Sequence, residues 1–198
     1  RHISRTIDSQ LFSGKEGETL LFHTLGKLKS RMVLVVGIGR RKNVSLETAR
    51  RLGGKVAQVA NNYKAASIGG VVVSQTVLQS FMEGVLLAGY QFDRFKQKQE
   101  PKTLKTCWFH AKGNAAPLQK ACLMAQVMSD ATNFARDLVN RPPNDLTPIL
   151  LAKEALLIAK REKNISCRVL ELKEIKAQKM GGIVAVGQGS ENPPTFIH

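Results

Sequence analysis

The sequence has few acidic residues, few aromatic residues and few cysteines. It holds 15 Asp and Glu against 30 Lys and Arg, a formal net charge of +15, and aromatic residues make up 6% of the chain. Its three cysteines, Cys107, Cys122 and Cys167, are odd in number and widely spaced. This pattern excludes a disulfide framework and a thiolate metal site. We therefore interpret each cysteine as a small buried apolar residue.

Long hydrophobic runs are also absent. No stretch approaches the roughly 18 to 20 apolar residues that span a bilayer, and the first ten residues, RHISRTIDSQ, lack the apolar segment of a signal peptide. Hydrophobic residues are 43% of the 198-residue chain, which suffices for a buried core. We predict a soluble, cytoplasmic protein with no membrane partner.

Several common catalytic motifs are missing. The four histidines are scattered without a His-Glu-x-x-His pattern, and Ser190 is not part of a Gly-x-Ser-x-Gly turn. The carboxylates of the last third stand at unrelated spacings, whereas a two-metal hydrolase needs several that converge. We predict helix-capping, ion-pair and turn roles for them: Asp130, Asp137, Asp145, Glu154, Glu162, Glu171, Glu174 and Glu191.

The first two thirds alternate short apolar runs with longer helical patterns, which is typical of an α/β layer fold. The pattern predicts strands over 31–39, 68–75 and 104–111, with helices over 46–64 and 77–96 between them. Ser45 is a suitable N-cap for the first helix. Residues 1–116 are therefore predicted to form one domain around a mostly parallel mixed sheet.

A long helix follows over 118–140, with a predicted buried stripe that includes Leu118, Cys122, Ala125 and Met128. Pro142-Pro143 ends this helix. The remaining pattern predicts a helix from the Thr147 cap to about 163, a strand over 165–170, a helix over 172–179 and a strand over 182–186. We assign 117–140 as a linker helix and 141–198 as the beginning of a larger domain.

Basic residues are concentrated in the first third, where residues 1–66 hold 13 basic and 4 acidic side chains. Those on one turn and the following helix could form a surface that binds nucleic-acid phosphates whatever the base sequence. Alternatively, they form a solvent-exposed helix face with no ligand. No aromatic residues interleave with them, which disfavours a platform for stacked single strands. The candidate nucleic-acid-binding residues are Arg40, Arg41, Lys42, Arg50, Arg51 and Lys55.

The turn GIGRRKN at 37–43 resembles a phosphate-binding loop only superficially. Lys42 stands where a dinucleotide fingerprint needs its third glycine, and no Gly-Lys-Ser/Thr follows. We interpret it as an ordinary tight turn. The helical segment that contains Gly84 and Ala88 is interpreted as a core helix that approaches its neighbour closely.

Two later segments carry a family resemblance. Residues 133–148 read NFARDLVNRPPNDLTP and residues 180–194 read MGGIVAVGQGSENPP. Together with EGVLLAGYQFDRFK at 83–96, they resemble the leucyl (cytosol) aminopeptidases, a family of dinuclear-metal exopeptidases. The resemblance covers most of the chain and is diffuse before Phe81.

The resemblance implies a macrodomain-like N-terminal domain, a linking helix and the first layer of an α/β catalytic domain. Members of the family are typically homohexamers that remove N-terminal residues from peptide substrates with two divalent ions, manganese, zinc or magnesium. Their metal ligands and catalytic groups follow the glycine-rich turn, so we assign no catalytic and no metal-binding residue here. We expect these 198 residues to bind no metal and to hydrolyse nothing alone.

The resemblance also implies structural roles for residues that are present. Arg141-Pro142-Pro143-Asn144 would form the domain junction, and Gly181, Gly182, Gly187 and Gly189 would permit tight packing. Arg1 is not an initiator Met, and Thr195–His198 reads as the opening of a strand. We therefore expect both ends to lie within a longer polypeptide. The alternatives are a DNA-binding macrodomain-like module, since some family members bind DNA through this domain, and a stand-alone oligomerisation piece.

Overall fold

The computed structural model describes residues 12–40, 42, 44–71, 74–97, 104–110 and 114–198. It divides into two compact units, Arg1–Asn133 and Phe134–His198, which are described separately. Unit 1 contains β1 (Thr19–His23), β2 (Met32–Val36), α1 (Leu46–Asn62), β3 (Ser67–Val71), α2 (Gln75–Ala88), β4 (Thr106–His110) and most of α3 (Ala116–Asn140). Unit 2 contains the end of α3, then α4 (Pro148–Arg161), β5 (Val169–Leu170), α5 (Leu172–Ala177), α6 (Gly181–Gly187) and β6 (Phe196–Ile197).

The strands of unit 1 form two separate pairs. β1 and β2 are antiparallel, with Thr19 opposite Val36, whereas β3 and β4 are parallel, with Ser67 opposite Thr106. The predicted α/β class is confirmed, but the described strands do not join into the single, mostly parallel sheet that we expected. The reason is that no described strand lies between the two pairs. The macrodomain-like arrangement stays a prediction.

Serine side chains begin the first two helices. The Ser45 hydroxyl accepts a hydrogen bond from the Thr48 amide at 3.1 Å, which confirms the predicted cap of α1, and Ser74 accepts one from Val77 at 3.3 Å. The prediction that the second helix reaches residue 96 is wrong, because α2 ends at Ala88 with Gly89 as its C-cap. Glycine is a poor helix residue, and the aromatic residues beyond it pack on each other instead, with the Phe92 and Phe95 rings 5.7 Å apart.

Helices α1 and α2 are in direct backbone contact, and two glycines make this possible. A Cβ atom at Gly53 would lie 2.0 Å from the carbonyl oxygen of Phe81, and one at Gly84 would lie 1.8 Å from that of Arg50. Any side chain at either position would collide with main chain, which cannot rotate away. The interpretation of α2 as a core helix that closely approaches its neighbour is therefore confirmed.

A buried carboxylate also joins the two helices. Glu83 is 8% exposed, and its Oε2 accepts hydrogen bonds from Arg50 Nη2 at 2.7 Å and Nε at 3.0 Å. Its Oε1 accepts a third from Gln79 Nε2 at 3.0 Å. Hydrogen bonds to Glu83, and then to Glu47, raise the pKa of Arg50. The cluster therefore supplies partners for a charge that burial would otherwise penalise.

Neutralising Glu83 should destabilise unit 1. The substitution Glu83→Gln is expected to lower the free energy of unfolding by about 1–2 kcal/mol, because a charge-assisted pair becomes an ordinary hydrogen bond. Urea unfolding followed by far-ultraviolet circular dichroism measures this change. Glu47→Gln is the matched control, because this exposed partner of Arg50 should change stability by less than about 0.5 kcal/mol. Equal losses in both variants would contradict the assignment.

The buried side of α3 differs from its predicted stripe. The buried residues are Ala121, Ala125 and Ser129, whereas Met128 is 53% exposed. Small residues at four-residue steps therefore form the buried line of α3, and of the predicted stripe only Ala125 is fully part of it. None of the described helices is long and apolar enough to span a membrane.

Unit 2 is built around short elements. β5 and β6 are antiparallel, with Leu170 opposite Phe196, and the fully buried residues Leu170 and Ile175 form the centre of its small core. The strand expected near the C-terminal residues is thus present as β6. The strand predicted over 165–170 is shorter than expected and occupies only Val169–Leu170.

The strand predicted over 182–186 is wrong, because these residues form helix α6. The amides of Ile183 and Val184 both point to the Met180 carbonyl, at 3.2 and 3.3 Å, and so begin a helical turn. A short run of β-branched residues does not distinguish a strand from a buried helix by its periodicity. The hydrogen bonds to the Met180 carbonyl show that this segment is helical.

Candidate functional site

The best-organised polar cluster of unit 2 lies at the Arg-Pro-Pro-Asn turn. The Pro142 carbonyl accepts the amides of Asp145 and Leu146, each at 2.9 Å, which turns the chain between α3 and α4. Thr147 occupies the N-cap position of α4 and Pro148 its first turn, as predicted, although the Thr147 side chain makes no capping hydrogen bond. These backbone hydrogen bonds therefore set the direction in which α4 leaves the turn.

The buried side chain of Arg141 stabilises this turn by hydrogen bonds. Its Nε donates to Asp145 Oδ2 at 2.6 Å, its Nη2 to the Asp145 carbonyl at 2.8 Å, and its Nη1 to Glu154 Oε1 at 3.1 Å. Only 7% of the side chain is exposed. The hydrogen bond to Asp145 is the main cause of the raised pKa of Arg141. With its charge paired in this way, Arg141 stabilises the turn.

The sequence places Arg141 in the turn, but no local pattern in it indicates the contact with Glu154. Asp145 lies four residues after Arg141, but beyond the helix end this spacing does not predict an ion pair, and the turn alone brings the two side chains together. Glu154 is thirteen residues away, on α4, and only the fold brings it to Arg141.

The remaining carboxylates of the last third mostly take the roles that were predicted for them. Asp130 accepts a hydrogen bond from Gln126 at 2.8 Å, Glu174 pairs with Arg168 at 3.2 Å, and Glu174 also accepts the Glu171 amide at 3.3 Å. Within the described ranges, no group of three or more His, Cys, Asp or Glu residues could hold a metal ion. The residues that the structure describes therefore do not fit the metal pair that the family resemblance implies.

The predicted basic face is partly neutralised. Arg50 pairs with Glu47 and Glu83, and Arg51 Nη2 lies 2.6 Å from Glu16 Oε1. Arg40 and Lys42 are exposed, Lys55 is half-buried, and Arg41 lies outside the described residues. The face thus carries less free positive charge than its sequence suggests, and nucleic-acid binding by it stays a prediction.

The two glycine amides that follow β2 are not available to an anion. The Gly37 amide donates to the Glu18 carbonyl at 2.7 Å, and the Gly39 amide donates to the Gly14 carbonyl at 2.9 Å. Gly39 has a φ of +70°, a conformation that favours glycine. These bonds support the interpretation of a structural turn.

A largely apolar cavity of about 620 Å³ lies beside α6 in unit 2. Pro148, Ile183, Val186 and Pro194 line it, together with the uncharged polar residues Ser190 and Asn192. No acid, base or histidine is among its lining residues. It therefore offers packing surface and no group for general acid or base catalysis.

Only one of the four glycines assigned to tight packing in this region is tightly packed. A Cβ at Gly187 would lie 2.7 Å from Pro194 Cγ, so this position requires glycine. At Gly181, Gly182 and Gly189 no described atom lies within 4 Å of such a Cβ, so tight packing at these three stays a prediction. The contacts of unit 2 itself give them no packing role.

Comparison with known proteins matches both parts of the chain to one family. Residues 1–99 match the "Cytosol aminopeptidase family, N-terminal domain" and residues 133–198 match the "Cytosol aminopeptidase family, catalytic domain". The chain belongs to the cytosol aminopeptidase family. The resemblance in the two late motifs is thereby confirmed.

Named members of the cytosol aminopeptidase family align along almost the whole chain. It is 33% identical to a probable cytosol aminopeptidase of Aquifex aeolicus over 98% of its length, and 36% identical to one of Syntrophotalea carbinolica over 98%. These alignments cover 39% and 41% of the two relatives. The chain thus spans about two fifths of the length of these relatives.

Solved structures agree with the fold. A lysine-to-glutamate mutant of tomato leucine aminopeptidase superposes with a TM-score of 0.88 at 26% identity, over 98% of this chain and 40% of the tomato chain. The bottromycin maturation enzyme BotP superposes with a TM-score of 0.80 at 22% identity, over 97% of this chain and 42% of BotP. BotP has also been solved in complex with Mn. At that identity, BotP supports the fold alone.

Proposed function

We propose that these residues are the N-terminal region of a leucyl aminopeptidase that releases N-terminal amino acids from peptides with two divalent metal ions. The observation that carries the proposal is the order of the two family matches, with the N-terminal domain over 1–99 and the catalytic domain over 133–198. The ions, manganese, zinc or magnesium, would be bound by residues other than those described here, because these offer no suitable ligand cluster.

The role proposed for this segment is folding and assembly support. Residues 1–116 form the N-terminal domain, 117–140 the linker helix and 141–198 the beginning of the catalytic domain. In support of this, α4 leaves large apolar side chains open to water, with Leu156 at 44% and Leu157 at 48% exposure. Large apolar side chains grouped on an exposed helix typically mark a surface that another part of a protein covers. We propose a cytoplasmic homohexamer as the complete assembly.

The experiment is an assay of residues 1–198 alone. With leucine amide and added Mn²⁺ or Zn²⁺, we expect no hydrolysis above the buffer rate. In calorimetric titration with Mn²⁺ we expect no tight binding, because converging carboxylates are the ligands that hold such ions. Metal-dependent cleavage that copurifies with the chain would show that the assignment of the catalytic groups is wrong.

A further inference from the structure

The tip of the β1–β2 hairpin carries exposed apolar and cationic side chains and no acidic one. This hairpin tip comprises residues 24–31, which connect the two strands and read TLGKLKSR. Leu25 is 82% exposed and Leu28 is 53% exposed. The same loop holds three exposed cations, Lys27, Lys29 and Arg31. The hairpin tip therefore presents two large apolar groups and three positive charges to solvent.

Hydrogen bonds close the base of the hairpin tip. The Thr24 amide donates to the Arg31 carbonyl at 2.9 Å, and the Thr24 hydroxyl donates to the Ser30 carbonyl at 2.6 Å. The Lys27 amide donates to the Thr24 carbonyl at 3.0 Å and so completes a four-residue turn. Because both ends of the loop are joined, its apolar and cationic groups are held together at one end of the hairpin.

Leu25 is an unfavourable residue for this turn. Its φ is +49° and that of Gly26 is +79°, so both central residues have a left-handed backbone. Turns of this kind favour Asn or Asp followed by Gly, because the Cβ of most other residues crowds its own main chain there. Leucine thus contributes neither a favourable conformation nor a buried side chain at this position. A strained backbone under an exposed apolar side chain indicates a role outside the fold of unit 1.

The three cations of the hairpin tip have no carboxylate partner among the described residues. The described ion pairs of unit 1 involve Arg50, Arg51 and Lys96 instead. The positive charge of the hairpin tip is therefore not neutralised within the chain, in contrast to that of α1. An anionic occupant would meet all three charges.

The combination of charge and apolar surface selects among anionic occupants. A nucleic acid would use the cations through its phosphates, but it gives exposed leucines little apolar surface to contact. A protein partner would need a shaped pocket for each projecting leucine. An anionic lipid surface accepts leucine side chains at the boundary of headgroups and acyl chains, and it attracts Lys and Arg. It therefore meets both requirements without any pocket.

We propose that the hairpin tip attaches the protein reversibly to an anionic lipid surface. Leu25 and Leu28 enter the boundary between headgroups and acyl chains, and the three cations contact the lipid headgroups. Such attachment needs no membrane-spanning segment, whose absence was the basis for predicting no membrane partner. This inference stands apart from the proposed peptidase activity, since it involves only unit 1 and no catalytic group.

Cosedimentation with lipid vesicles tests the proposal. The probe is a vesicle of phosphatidylcholine with about 30% phosphatidylserine, mixed with the full 198-residue chain at about 0.1 M salt. For two leucines and three cations we expect half-maximal binding at about 0.1–1 mM accessible lipid. Vesicles of phosphatidylcholine alone should bind at least about tenfold more weakly, because they carry no net negative charge.

The variant Leu25→Asn separates lipid binding from folding. It removes the apolar side chain and supplies a residue that the turn favours, so the urea midpoint should be unchanged or higher. We expect vesicle binding to weaken about tenfold, because one of the two inserted side chains is lost. The matched control is Leu123→Asn, at a leucine on α3 that is 63% exposed. It should change vesicle binding by less than about twofold, because it lies outside the hairpin tip.

A second pair of variants separates the hairpin tip from the general positive charge of the chain, which is +15. The double variant Lys27→Gln with Lys29→Gln should weaken vesicle binding about thirtyfold, because both cations lie next to the lipid surface. The control removes two exposed lysines of unit 2, through Lys160→Gln with Lys163→Gln. It should weaken binding less than about threefold, because charges beyond a Debye length from the surface are screened.

Three results would overturn the proposal: no sedimentation with the phosphatidylserine vesicles, undiminished binding of Leu25→Asn, or equal losses in the two lysine double variants. Duplex DNA supplies a fourth test at the same salt. If it binds the chain more tightly than the vesicles do, and Leu25→Asn leaves that binding unchanged while Lys27→Gln with Lys29→Gln abolishes it, the hairpin tip is a site for nucleic-acid phosphates and the lipid assignment is wrong.

Discussion

The substitution Gly84→Ala is expected to lower the stability of unit 1 by about 3 kcal/mol. The new Cβ would lie 1.8 Å from the Arg50 carbonyl oxygen and 2.9 Å from the Gly54 amide nitrogen. Both are main-chain atoms of α1, so no side-chain rotation relieves the overlap and the helices must separate. Separation would also loosen the Arg50–Glu83 pair, which lies between the same helices. Urea unfolding followed by far-ultraviolet circular dichroism measures the loss.

Gly54→Ala is the control on the facing helix. Its new Cβ would be 3.6 Å from the Gly84 carbonyl oxygen and 3.7 Å from Ala88 Cβ, both ordinary contacts. Alanine is the better helix former, so this change should be neutral or stabilise unit 1 by up to about 1 kcal/mol. A loss of stability in Gly84→Ala beside a gain in Gly54→Ala would be hard to explain without the close contact of the two helices. If both variants behave alike, the packing of α1 on α2 is described wrongly.

The second large effect is expected in unit 2, for Leu170→Ala. Leu170 is 1% exposed and belongs to the β5–β6 pair, which is flanked by mutual hydrogen bonds of Arg168 and His198 at 2.7 and 3.0 Å. Removing a buried leucine side chain leaves a cavity and costs about 2–5 kcal/mol. Hydrogen exchange at the Arg168 and His198 amides should accelerate at least about thirtyfold if exchange requires opening of this unit.

Leu156→Ala is the matched control for this loss, because the same chemical change is made at a side chain that is 44% exposed. Its effect should stay within about 0.5 kcal/mol, with exchange nearly unchanged. Comparable acceleration in the two variants would mean that Leu170 is not the centre of the unit 2 core.

The helices were the most predictable part of the fold, because their signals are local. Ser45 before a periodic apolar pattern was enough to place the start of α1, and Pro142-Pro143 was enough to end α3. Where a signal was short, prediction failed: the run over 182–186 forms α6, and α2 ends at Gly89 despite an apolar pattern that continues. The separation of the β1–β2 and β3–β4 pairs depends on which edges meet in space, and no local pattern contains that information.

The candidate site was predictable chiefly as a family assignment. The motifs around Arg141 and Gly187 identify the family, yet the physical roles of these residues became visible only in three dimensions. Arg141 gathers two carboxylates that lie four and thirteen residues away, and Gly187 makes room for Pro194. Conversely, Arg50 and Arg51 were assigned to a cationic face from sequence, because their carboxylate partners Glu83 and Glu16 are distant in the chain.

The central proposal is that these residues are the N-terminal region of a leucyl aminopeptidase and hydrolyse nothing alone. The most direct test joins residues 1–198 to the C-terminal remainder of the Aquifex aeolicus relative, beginning where the two sequences cease to align. The account predicts Mn²⁺- or Zn²⁺-dependent hydrolysis of leucine amide by the joined protein and none by residues 1–198 at the same concentration. A joined protein that folds but stays inactive, or activity in residues 1–198 alone, would contradict the claim.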